Sequence, residues 1–135
     1  MAEPRAIHGG LFVVERGEAR LLAGRCTSCR DLHFPREDEC PYCGADAEAC
    51  SVGPGATLKL FTVVRTAPPG YRGPVPYGFG AVELDGTGLC VLGRLTEADA
   101  DRLRVGLPLH LVVEPLFTDD AGQAVLSWAF APEGA

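Results

Sequence analysis

Cys26-Thr27-Ser28-Cys29 and Cys40-Pro41-Tyr42-Cys43-Gly44 decide the reading of this chain. Each C-x2-C turn offers two thiolates on one side of a tight loop, and ten residues separate the two turns. Zinc takes four soft or nitrogen ligands in a tetrahedron. Two facing turns close that shell and leave no open position for water. Gly44 follows the last ligand, where a side chain would crowd a backbone turning its N–H groups toward sulfur. The spacing predicts one structural zinc ion held by Cys26, Cys29, Cys40 and Cys43.

Two other chemistries use similar residues. Cys-Pro-Tyr-Cys is also a glutaredoxin active-site sequence, but redox dithiols of that type open a helix in a βαβ context. Here a second C-x2-C lies upstream and no helical pattern follows Gly44. A rubredoxin-type iron site has the same ligands but a much longer gap between its knuckles, so zinc is preferred. His33 lies between the knuckles and is read as a packing or solvent-facing residue, since four cysteines already complete the shell. His8 and His110 have no partner at motif spacing and receive no catalytic role. Cys50 is read as a surface thiol, and Cys90, within a strand pattern, as a small buried apolar residue.

Outward from the cysteines, the chain divides at Val52-Gly53-Pro54-Gly55, because Gly and Pro together punctuate structure. Residues 1–53 hold five of the six cysteines and form an expected N-terminal hairpin and zinc ribbon. The hairpin joins Leu11–Val14 to Arg20–Ala23 through a turn at Gly17. Residues 54–135 alternate apolar and polar positions. They predict strands over Thr57–Arg65, Gly78–Leu84, Leu89–Leu95, Leu109–Glu114 and Ala124–Phe130. Asp85-Gly86-Thr87-Gly88 and Asp119-Asp120-Ala121-Gly122 supply turns. Leu126, Trp128 and Phe130 fall on one face of the last strand. Thr96 as N-cap with Asp99 as capping-box partner predicts a short helix over about Glu97–Arg104, ended by Gly106. Five strands with one helix between the third and fourth match an OB-fold barrel, and other small barrels share the pattern. The expected fold is therefore mainly β.

The composition narrows the function. Of 135 residues, 47% are hydrophobic and 22% charged, which suits a globular domain that buries roughly two-thirds of its unfolded surface. Net charge is −6, with Lys59 the single lysine against eleven arginines. That balance argues against binding phosphate backbones, which takes Lys and Arg to neutralise phosphates. A single-stranded nucleic-acid-binding module is the runner-up function, because zinc ribbons and OB-folds both serve that role elsewhere. No apolar run approaches the ~18 residues of a membrane span, and no signal sequence is visible. A cytoplasmic protein with reduced thiols is expected, which favours metal over disulfides. No Ser–His–Asp, Cys–His or paired-carboxylate constellation stands out, so the chain reads as a non-enzyme.

Ala67-Pro68-Pro69-Gly70-Tyr71-Arg72-Gly73-Pro74-Val75-Pro76-Tyr77 links the first two barrel strands. Four prolines stiffen it and remove backbone donors. A stiff loop bearing aromatics and an arginine loses little entropy on docking. Tyr71, Arg72 and Tyr77, with Arg65 at the end of the preceding strand, are the candidate contact residues.

The two knuckles, the strand Phe61-Thr62-Val63-Val64 and the run Pro68 to Phe79 resemble a bacterial and archaeal family in which a rubredoxin-like zinc ribbon is fused to an OB-fold. The resemblance covers residues 20–130. It implies an accessory, non-catalytic subunit bound to a thiolase-superfamily enzyme that makes or breaks carbon–carbon bonds in acyl-CoA thioesters. It also implies an acyl-CoA hydratase subunit or domain as a further associate, since related domains are fused or bound to hydratases of steroid side-chain breakdown. Direct contact with acyl-CoA would fall to Arg65, Tyr71, Arg72 or Tyr77. Many members carry a longer N-terminal helix, in place of which this chain has a short polar lead and a hairpin.

Overall fold

The structure, a computed structural model, describes residues 3–133. Ten strands and one 3-10 turn are the regular elements among these residues. The first four strands are β1 (Arg5–Ala6), β2 (Phe12–Glu15), β3 (Glu18–Cys26) and β4 (Leu32–His33). The expected hairpin is β2–β3, closed by Arg16 and Gly17. Both turn residues have positive φ, 52° and 80°. That backbone matches the right-handed twist of the flanking strands. β5 (Ala47–Val52) pairs antiparallel with β3 from Leu21↔Val52 to Cys26↔Ala47 and completes the ribbon sheet.

The barrel follows with β6 (Gly55–Val64), β7 (Tyr77–Leu84), β8 (Cys90–Leu95), β9 (Pro108–Thr118) and β10 (Ala124–Pro132). The strand order is β10-β8-β7-β6-β9, and β9 pairs with β10 to close the ring. β8 and β10 run parallel and every other pairing in the ring is antiparallel. Closure of five strands in that order is the OB-fold. β1 adds to the outside of β10 in parallel, with Arg5↔Val125 and Ala6↔Leu126.

The alternation of β7 is complete: Gly78, Gly80, Val82 and Leu84 are buried and the residues between them are not. Two inward glycines have a steric reason. A Cβ on Gly78 would overlap the Glu97 carbonyl, and one on Gly80 the Leu60 carbonyl. Gly93, opposite Gly80 on β8, is closed off by the rings of Trp128 and Phe130. β6 carries a bulge between Leu58 and Leu60, which leaves Lys59 outside the ladder.

Ribbon and barrel share their core. Leu21, Ala23 and Val52 belong to one buried cluster with Leu58, Val82, Leu84, Leu109 and Phe130. Each fully buried Leu or Phe contributes roughly 1.5–3 kcal/mol relative to exposure. Phe34 from the ribbon meets Trp128 edge-on at 5.6 Å, and Trp128 meets Phe130 at 5.9 Å.

The structure corrects three sequence expectations. The helix over Glu97–Arg104 is a 3-10 turn of Ala100–Arg102 capped by Asp99, not by Thr96. The Thr96 amide instead donates to the Phe130 carbonyl at 2.9 Å, which ties this residue to the sheet. The segment buries only Leu103, too little apolar surface to hold a longer helix. Cys90, expected to be buried, is exposed, because it has the outward parity of Leu92 and Arg94 on β8. Cys50, expected at the surface, is half-buried in β5 and packs on the core.

Candidate metal centre and contact loop

The four cysteines come together from two loops. Cys26 ends β3, and its amide donates to the Asp31 carbonyl at 3.0 Å, closing the first knuckle. Cys40 begins the second, where its amide donates to the Ala45 carbonyl at 2.7 Å and its carbonyl accepts from Gly44 at 2.9 Å. Gly44 has φ 79° with open space around its Cα. Conformation, not room, therefore calls for glycine there. Arg30, one residue past Cys29 as Gly44 is past Cys43, takes the same conformation at φ 69°.

All four Sγ atoms lie within 4.8 Å of one another. Cys26 and Cys43 are 3.4 Å apart, Cys29 and Cys40 3.7 Å. A tetrahedron with Zn–S bonds of about 2.3 Å has sulfurs about 3.8 Å apart, so the donor set fits zinc. Cys26 and Cys40 are buried while Cys29 and Cys43 face outward. The amides of Ser28 and Cys29 donate to Cys26 Sγ at 3.3 Å, and that of Tyr42 to Cys40 Sγ at 3.4 Å. These bonds stabilise negative charge on sulfur. Burial raises the Cys26 pKa, but the two amides and the neighbouring thiols outweigh it and bring the thiol down to about 6. At Cys29 the Asp31 amide favours the thiolate, yet the Cys26 sulfur and burial push the value up to about 12. Metal-free, the cluster thus shares its protons unevenly, and a divalent cation takes their place. Zinc in this rubredoxin-like ribbon is structural: four thiolates fill its shell.

His33 is buried but outside the sulfur cluster. Its Nε2 accepts from the Glu37 amide at 3.1 Å, which fixes the turn between the knuckles. A Cβ on Gly24 would collide with its ring, so glycine there makes its seat.

The proline-rich loop is held at both ends. Tyr71 stacks on Tyr77 with centroids 4.7 Å apart, and its hydroxyl donates to the Pro74 carbonyl at 2.8 Å. Burial raises the Tyr71 pKa, and the Arg94 charge partly offsets that. Arg72 lies over the Phe117 ring at 4.9 Å and pairs with Asp120 at 2.9 Å. It therefore joins the β6–β7 loop to β9 and the β9–β10 turn. Arg65 is exposed just past β6, with no ion-pair partner among the described residues.

The sequence reading missed an outward apolar face. Strand pairing aligns Leu60, Ala81 and Leu92 in one row and Thr62, Phe79 and Arg94 in the next. Leu60 and Leu92 are 67% and 65% exposed. Arg94 is nearly buried and bonds to Glu114. The apolar outer parity of Phe79 and Ala81 was the available signal, since a solvated barrel face carries polar residues there.

Comparison with known proteins agrees with this architecture. The family model for the ChsH2 rubredoxin-like zinc ribbon domain matches residues 15–48, and that for the ChsH2 C-terminal OB-fold domain matches residues 51–114. A DUF35 domain-containing scaffold protein of Pyrococcus furiosus is 28% identical over 119 residues, covering 87% of this chain and 86% of that protein. A protein of the same description from Methanocaldococcus jannaschii is 25% identical over 115 residues, covering 83% and 81%. Among solved structures, the Ltp2–ChsH2(DUF35) aldolase aligns with TM-score 0.64 and 24% identity over 84% of each chain. A DUF35-family protein of unknown function from Sulfolobus solfataricus aligns with TM-score 0.50 and 12% identity, over 80% of this chain and 76% of that one. No helix among the described residues is long and apolar enough to cross a membrane. By its cysteine knuckles, its closed five-stranded ring and both domain models, the chain belongs to the DUF35 family of ChsH2-type rubredoxin-like zinc ribbons joined to an OB-fold.

Proposed function

We propose that this chain is a non-catalytic accessory subunit that binds and supports a thiolase-superfamily enzyme acting on acyl-CoA thioesters. The observation that carries the reading is the similarity of the ribbon and the barrel, in order, to the two ChsH2 domains. Relatives named scaffold proteins, and a related fold within an aldolase named for two components, support it. The chemistry supports it as well. Cys26, Cys29, Cys40 and Cys43 are read as the zinc ligands, a shell with no position for substrate or water. Among the described residues no other His, Cys, Asp or Glu group gathers at metal-ligand distance.

In this reading residues 1–53 form the ribbon and 54–135 the barrel, and the protein works in the cytoplasm. The loop serves as the contact for acyl-CoA or for the enzyme beside it. Arg65, exposed and without an ion-pair partner among the described residues, is the cation best placed for a phosphate, since Asp120 already engages Arg72. Tyr71 and Tyr77 form a stacked apolar wall for an adenine or pantetheine arm. An acyl-CoA hydratase is a further associate.

The test is reconstitution. The purified chain alone should not turn over acyl-CoA thioesters, and a thiolase-superfamily enzyme from the same source should co-purify with it and lose activity or solubility without it. Tyr71→Ala with Arg72→Ala should weaken assembly or raise the enzyme's KM for acyl-CoA while the fold persists. Cleavage or condensation by the chain alone would reject the accessory role.

A further inference from the structure

The outward face of β6, β7 and β8 is built like the centre of an interface. Leu60, Ala81 and Leu92 stand side by side across the three strands, with Phe79 in the adjoining row. Two shallow depressions of about 330 and 230 Å³ share Phe79 and Leu92, so the apolar strip is continuous. Its far end meets Tyr71, Tyr77 and Trp128.

The charges around this strip are compensated within the chain. Arg94 is met by Glu114, and Lys59, pushed out by the bulge, pairs with Glu83 at 3.1 Å. Among the described residues no free cation is left on the strip for a phosphate. Charge depletion around apolar and aromatic residues marks the buried core of protein interfaces. Small-molecule pockets bury 70–90% of a ligand, whereas Leu60 and Leu92 are two-thirds exposed on an open surface. The geometry fits a broad partner surface. A second copy is disfavoured because it would bring two chains of net charge −6 together.

We infer that the Leu60–Ala81–Leu92 row with Phe79 is the docking face for a folded partner enzyme that presents an uncharged apolar patch. This rests on the accessory role proposed above and assigns the enzyme to the sheet face, leaving the proline-rich loop at its rim. Burying Leu60 and Leu92 supplies the central contacts, and the neutral pairs at the edge avoid leaving a lone charge desolvated.

The experiment uses the full chain with zinc bound. Wild type is used to capture its partner, the partner is identified and purified, and the complex is reconstituted from pure components. Leu60→Asp with Leu92→Asp should raise Kd at least about 30-fold, and Val14→Asp, at an apolar residue of the ribbon hairpin that is also exposed, should leave it unchanged. Zinc content and melting temperature verify the fold, and Leu60→Ser with Leu92→Ser replaces the acidic pair if that pair misfolds. If a thiolase-superfamily enzyme binds wild type and the variant equally, the inference falls and the accessory role stands. If the captured enzyme is of another class and the variant loses it, the inference stands and the thiolase reading falls. If wild type captures no partner, both fall. Self-association of wild type that the variant abolishes, or retention of single-stranded oligonucleotide that the variant abolishes, would overturn the inference in favour of those occupants.

Discussion

Gly93→Ala tests the seam where ribbon and barrel meet. A methyl group at Gly93 would overlap the Trp128 ring and stand 2.9 Å from Phe130 Cε2 and 3.2 Å from Cδ2. Carbon–carbon contacts are optimal at about 3.5–4.0 Å, so both rings must retreat by at least half an ångström. Phe130 is fully buried and cannot retreat into solvent. Trp128 lies between Phe130 and Phe34, so its displacement pushes on the ribbon. Overpacking of this kind costs about 1–3 kcal/mol. With both rings confined, the upper end is expected, a fall in Tm on the order of 10 °C. Trp128 is the sole tryptophan, so its fluorescence during urea unfolding reports on the site directly. Trp128→Leu in the Gly93→Ala background should recover part of the loss by returning the space. If Gly93→Ala unfolds within about 0.5 kcal/mol of wild type, a surface-like value, the aromatic seam is not close-packed.

Three further outcomes are expected. Cys40→Ser should abolish stoichiometric zinc, measured by atomic emission. Structural sites in small peptides bind with roughly 10–16 kcal/mol, so the ribbon should unfold; a folded wild type purified with no metal would contradict this. Arg16→Asn should stabilise the chain by about 1 kcal/mol in thermal melts, because Arg16 holds φ 52° in a hairpin turn that favours Asn-Gly. An unchanged or lower Tm would count against that turn. The amides of Gln123 and Ala121 and the Arg5 guanidinium lower the folded pKa of Asp119, the Gln123 bond most strongly and against a burial effect that raises it. Its stabilisation should be complete above the unfolded carboxyl range near pH 4 and be lost as pH falls through the lower folded value. Asp119→Asn should therefore cost stability at pH 7 and lose that disadvantage once pH falls below the lowered folded pKa of Asp119, read from denaturation curves at each pH.

Much of this molecule was legible from local signals. The cysteine spacing gave the ligand cluster, because a C-x2-C turn fixes two sulfurs whatever surrounds it. The alternation of Gly78–Leu84 and the Asp85–Gly88 turn gave a barrel hairpin, because strand parity is itself local. Features that depend on distant partners were not legible. Arg72 is a candidate contact residue in the sequence, and its engagement by Asp120, 48 positions away, appears only once the ring has closed. The Phe34–Trp128 contact joins segments 94 positions apart by number. The supposed cap at Thr96 failed because the Phe130 carbonyl claimed its amide, a tertiary bond that no propensity records. A strand position and an apolar side chain do not bury Cys90, whose parity with Leu92 faces it outward.

The parallel pairing of β1 with β10 makes the order of synthesis matter. Arg5 and Ala6 leave the ribosome 120 positions ahead of their partners Val125 and Leu126. β6 likewise waits for β9 to complete its outer edge. The ribbon can gather its cysteines early, while the buried faces of β3 and β5 stay open until the barrel wraps against them. Such long-range closure slows folding and prolongs exposure of apolar surface. Zinc capture by the nascent ribbon would then act as a timing device, holding the first half in register while the second is still being translated.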